Sequence, residues 1–121
     1  MQTAAQAYGT VAKKTANPRE LEADLLLQAA SRLQAIQESW DAKRPDLDEA
    51  LLYNRKLWSI FLSSVTGESS PLPDEIRRNV ANLGVFVMKK TMTMMTDPQP
   101  QELSSLISIN RQLAAGLRGG A

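Results

Sequence analysis

The chain has 121 residues, 43% of them hydrophobic and 22% charged, enough for one domain with a real core and too little for a second. A net charge of +1 gives bulk electrostatics no preference for nucleic acid or an anionic membrane. Without cysteine or histidine there is no disulfide, no thiolate nucleophile and no imidazole base or metal ligand, and a reducing cytoplasm is permitted.

The N-terminus, MQTAAQAYGTVAKK, has neither the basic start nor the apolar run of a signal peptide. No apolar segment approaches the ~20 residues that span a bilayer. Residues 3–14 form an Ala-rich, weakly apolar segment carrying Tyr8 and Val11. Gly9 within it costs ~1 kcal/mol in a helix interior. Residues 1–16 are therefore expected to dock loosely, over apolar surface that longer helices leave open and that a partner helix could take over.

Asn17, Pro18 and Glu20 read as an N-cap, a first helical residue and a near capping box. The helix they open repeats apolar residues at 21, 25, 29, 33, 36 and 40, and Leu26, Leu27 and Ala30 widen the stripe for more than one neighbour. It should stop before Pro45. Asp46 opens the next helix with Glu49 as capping-box partner. Its apolar positions are 47, 51, 58, 61, 62 and 65, and Gly67 is the stop. After the loop ESSPLP, Pro73 starts a third helix, with Asp74 and Glu75 suited to its N-terminal dipole. Ile76, Val80, Leu83, Val87 and Met94 share one face of it. DPQPQE is a second break. The last helix aligns Leu103, Leu106, Ile107, Leu113, Ala114 and Leu117 and is expected to fray over 118–121. The prediction is a single all-α domain over 1–121, an antiparallel helical bundle of four main helices plus a short N-terminal helix.

Two Asn-Arg pairs interrupt this apolar pattern. At ~100° per residue, Asn54 falls amid Leu47, Leu51, Trp58, Phe61 and Val65, and Asn110 amid Leu103, Leu106, Leu113 and Leu117. Both amides point into the core, where an unpartnered one costs ~1–3 kcal/mol. They are read either as polar latches that fix helix register or as groove-lining groups that bond a partner. Arg55 and Arg111, a step further round, are placed to reach carboxylates such as Glu20, Glu22 or Asp24. Trp58 sits on the core face, and Tyr53 lies on the far side as a contact candidate.

KKTMTMM, preceded by Met88, puts methionines at several angles round its helix. Met94 fits the core. Met88, Met92 and Met95 read either as gap fillers or as an adaptable surface for amphipathic helices. Arg77-Arg78 and Lys89-Lys90 are small basic spots without interleaved aromatics, better suited to a solvated face than to nucleic acid. No Gly-rich phosphate loop is present, and no histidine activates the serines. An enzyme is not expected, although Lys or carboxylate chemistry needs no histidine. Neither a cofactor nor a metal is expected.

PRELEA, YNRKLW and INRQLA, in this order and spacing, together with Ala7-Tyr8 and the closing Ala-Gly-Leu, resemble the flagellar biosynthesis regulator FlaF family through nearly the whole chain. The Met-rich stretch 88–95 is the one departure. The resemblance implies a small cytoplasmic, non-enzymatic protein that acts on flagellin, as a type III export chaperone and positive regulator of its synthesis, opposed to the translational repressor FlbT. Flagellin's terminal amphipathic helices are then the expected partner, FlbT a second, with no membrane. The partner-contact candidates are Tyr8, Tyr53, Arg55, Met88, Met92, Met95 and Arg111. The alternative is a post-transcriptional regulator that acts on flagellin mRNA, directly or through FlbT.

Overall fold

The structure, a computed structural model, describes residues 18–67 and 72–119. The elements are α1 (Pro18–Glu38), the single turn α2 (Trp40–Lys43), a 3-10 turn (Arg44–Asp46), α3 (Leu47–Thr66), α4 (Asp74–Thr96), a second 3-10 turn (Pro100–Glu102) and α5 (Leu103–Gly119). No strand occurs among the described residues. The all-α expectation holds, with four long helices. Tyr8 and the expected N-terminal helix lie outside the described residues.

α1 is rich in Leu, Ala, Gln and Glu, all strong helix formers. It buries Leu21, Leu25, Leu26, Ala29, Ala30, Leu33 and Ile36, more than one face, because it packs between two neighbours. The alanines let those neighbours approach closely. It ends at Glu38, short of Pro45, which falls in the first 3-10 turn.

α5 runs antiparallel along α1, joined by Arg118 to Asp24, Arg111 to Gln34, and Gln37 to Ser104 and the Pro100 carbonyl. α3 returns along the other side of α1, where the Arg32 guanidinium lies 5.5 Å from the Tyr53 ring centroid and 3.9 Å from Glu49. α4 then returns along α3. At Gly84 the two helices approach so closely that an added Cβ would come within 2.5 Å of Leu62 Cδ1. Three edges of the bundle are packed in this way. Among the described residues the fourth is open: α4 and α5 barely touch, and Lys90 bonded to Glu102 ties them together near their connection.

Local expectations fail in four places. Asp46 makes no side-chain cap bond, because it closes the preceding 3-10 turn with helical backbone angles rather than the extended ones of an N-cap, and the Glu49 carboxylate lies toward Arg32 on α1. Arg111 donates to the Gln34 amide oxygen rather than to a carboxylate, and Asp24 is taken by Arg118, one helical turn or more beyond. Arg55 is exposed and makes no ion pair among the described residues. The C-terminal helix continues through Arg118 to Gly119, held by that same ion pair, where fraying was expected from 118.

Candidate functional site

α4 carries more apolar residues than one buried face requires. Val80, Gly84, Val87, Thr91 and Met94 form its buried side. Ile76 and Leu83, expected to share that face, are 43% and 37% exposed, and Phe86 is 42% exposed. The three lie to one side of the buried line, at positions that turn toward α5. Across from them α5 presents Ile109, Leu113 and Leu117, all half-buried.

Between these rows runs a groove made of three adjoining hollows of about 350, 250 and 540 Å³. The first is lined by Phe61, Leu72, Ile76, Val80, Leu113 and Leu117, with Arg19 at its end. The second shares Ile76, Val80 and Leu113 and adds Leu83 and Ile109. The third continues over Leu83 and Ile109 to Phe86. Asn79, Asn82 and Gln112 supply its polar edge. Gly116 belongs to this wall, and an added Cβ there would meet nothing within 4 Å. The groove is most enclosed in its first hollow and shallow in its third, apolar within and amide-edged without. That is the form that receives the apolar stripe of an amphipathic helix.

Behind the groove a polar cluster sets where α5 stands. Asn54 and Asn110 are both fully buried. The Asn110 Nδ2 donates to Asn54 Oδ1 at 2.8 Å and to the Leu26 carbonyl at 3.3 Å, and Trp58 Nε1 donates to Asn110 Oδ1 at 2.9 Å. One amide thus joins α1, α3 and α5. Asn54 Nδ2 has no partner, so Asn110 is the hub and Asn54 the follower. The bonds join three helices, and neither asparagine borders the three hollows. Asn110 is one residue from Ile109 and three from Leu113, so the latch fixes one wall of the groove.

The match to the family model for flagellar protein FlaF covers residues 4–117. The chain belongs to the FlaF family. It is a flagellum-related protein, in agreement with the resemblance seen in PRELEA, YNRKLW and INRQLA. No match was found among curated proteins or among solved structures.

On this FlaF chain the contact candidates do not converge. Tyr53 is half-buried beneath Arg32, and burial lifts its phenol above the ordinary value of 10.0, with Arg32 pulling the other way. Arg111 is tied to Gln34. Met92 is 68% and Met95 37% exposed, and Met88 is half-buried. With Val85, these methionines occupy the flank of α4 turned away from the groove. None of Tyr53, Arg55, Met88, Met92, Met95 or Arg111 lines the hollows.

Sequence reasoning missed Phe86, Ile109 and Asn79 as groove residues. The available signal was the width of the α4 stripe, which carries Ile76, Leu83 and Phe86 beside a complete Val80–Val87–Met94 row. Among the described residues no group of His, Cys, Asp or Glu is placed to hold a metal, and no helix is long and apolar enough to cross a membrane.

Proposed function

We propose that this protein binds flagellin in the cytoplasm, covers the apolar faces of its terminal helices before export, and couples flagellin synthesis to secretion. The observation that carries this reading is the open edge between α4 and α5. Large apolar side chains on both walls face a gap that neither helix closes. Each exposed Ile, Leu or Phe forgoes roughly 25 cal/mol for every Å² left in water, and a docked helix would recover that. An amphipathic helix that lacks its assembly partners has the complementary need. The role is that of a binding protein rather than an enzyme.

The basic residues favour protein over RNA. Arg77 is folded onto Asp74 and Lys90 onto Glu102, so the two basic spots are partly neutralised and do not merge into one face. The test is co-purification with flagellin from cells, with and without RNase. Flagellin retained after RNase supports the reading. Flagellin lost with the RNA would replace it with the regulator acting on flagellin mRNA.

A further inference from the structure

The groove ends where the described chain begins. Arg19, next after Pro18 at the start of α1, lines the first hollow beside Leu113, Gly116 and Leu117 of α5 and Ile76 of α4. The ion pair of Arg118 with Asp24 holds the end of α5 against the same part of α1. Residues 1–17 therefore join the molecule at the mouth of the groove. The residue before a proline avoids helical backbone angles, so the Asn17-Pro18 step separates what precedes it from α1 and lets it turn back. The family match begins at residue 4, so nearly all of this stretch belongs to the domain.

Its length and pattern fit the space. From Ile76 to Phe86 the α4 wall is about ten residues of helix, or about 15 Å at 1.5 Å per residue, and residues 2–12 wound as a helix would span the same distance. Ala4, Tyr8 and Val11 stand at i, i+4 and i+7, one stripe of such a helix. Running back from Pro18, Val11 meets the enclosed first hollow and Tyr8 the second, with Ala4 toward Phe86. The connecting residues 12–17 are ample, because Val11 has only to reach a hollow that Arg19 already lines.

Charge sets the same direction. At ~100° per residue, Glu75 shares the side of α4 that carries Asn79, Asn82 and Phe86, at the mouth, while Arg78 and Lys89 lie further round the outer side. Glu75 is exposed and makes no ion pair among the described residues. Lys13 and Lys14 are the only charged side chains in residues 1–17, and the connection to Pro18 brings them to that end.

We propose that residues 2–14 of this chain occupy the α4–α5 groove as a helix running toward the mouth, and yield it when a partner helix docks. The exchange rests on the groove being the docking site argued above. A tethered segment acts at an effective concentration in the millimolar range, so a weak stripe of one tyrosine, one valine and alanines, interrupted by Gly9, is enough to cover the groove. A longer stripe of large side chains displaces it, with an apparent affinity lowered by the fraction of chains that are covered.

The chain has no cysteine, so paired cysteines report position directly. Full-length chains carrying Ala7→Cys together with Asn82→Cys, Gln112→Cys or Met92→Cys are oxidised with copper-phenanthroline, with and without saturating purified flagellin. Cross-linking to at least one of the two rim positions should run at least tenfold faster than to the Met92→Cys position, and flagellin should slow it at least fivefold. In the otherwise native chain Tyr8→Ser should tighten flagellin binding at least threefold. Equal rates at rim and flank overturn the occupancy, and loss of flagellin binding in Leu83→Glu would still leave partner docking standing. Fast rim cross-linking that bound flagellin does not slow overturns the exchange, and the docking reading with it. Weaker flagellin binding in Tyr8→Ser makes Tyr8 a partner contact and likewise overturns the exchange.

Discussion

α4 has two neighbours and treats them oppositely. Against α3 it packs closely: a methyl group at Gly84 would displace the Leu62 side chain. Against α5 it stands back, and Gly116 on the far wall faces empty space. Composition does not explain the difference, since Ile76, Leu83 and Phe86 at the open edge are as apolar as the buried Val87 and Met94. What differs is what holds each pair in place. The closed edge is set by direct interdigitation. The position of α5, by contrast, is fixed from behind by Asn110, which bonds to α1 and α3 and has no bond to α4. An apolar edge left open in this way is the feature on which the proposed docking role rests.

The largest expected effect comes from releasing α5. Asn110→Ala strips the Trp58 N–H of its partner and should cost about 3 kcal/mol, from an unpaired buried donor together with the lost bonds. Asn54→Ala should cost about 1 kcal/mol, because it also removes an unpartnered donor. The double variant should cost less than the sum. Urea denaturation of the four proteins decides it, and equal losses for the two single variants would refute the hub role of Asn110.

The closed and open edges are contrasted directly by their glycines. Gly84→Leu forces a side chain into the α3–α4 contact and should destabilise by about 1–3 kcal/mol. Gly116→Ala adds a methyl to open space in a helix and should stabilise by about 0.5–1 kcal/mol. Thermal melts of both variants would break the comparison if the two shifts had the same sign.

The smallest effect is a slope set by a buried carboxyl on α1. Burial raises the Glu22 carboxyl above its ordinary 4.5, with Arg19 opposing. Between 4.5 and that raised value the folded chain holds a proton that the unfolded chain has released. Stability contributed by this group is therefore full below 4.5 and falls as pH rises through the folded-state pKa. Glu22→Gln should flatten that part of the stability-versus-pH curve, and an unchanged slope would place the titration elsewhere.

Helix boundaries, the burial of Asn54 and Asn110, and the core position of Trp58 could all be read from the sequence, because each follows from 3.6-residue periodicity within one helix. The groove could not. Periodicity assigns Ile76 and Leu83 to the apolar side of α4 but says nothing of how far away α5 lies, which is set by the Asn110 bonds across three helices. Gly84 and Thr91 were overlooked for a related reason. Glycine at a close approach, and a threonine whose hydroxyl is satisfied by the Val87 carbonyl, are core residues without being apolar. The exposed methionines attracted attention by composition, yet Met92 lies on the flank of α4 turned away from the groove. Single-helix signals also misassigned Glu49 and Arg111, whose partners are chosen by neighbouring helices.

Placing a charge on each flank of α4 in turn tests the central claim most directly. Leu83→Glu and Met92→Glu both alter exposed side chains, so both should keep the wild-type melting temperature within a few degrees. Binding of purified flagellin to each variant is then measured against the wild type by titration. The account predicts at least a tenfold loss of affinity for Leu83→Glu, worth about 1.4 kcal/mol or more, and little change for Met92→Glu. Loss of binding in Met92→Glu with Leu83→Glu unaffected would contradict it, and would move the partner site to the methionine flank.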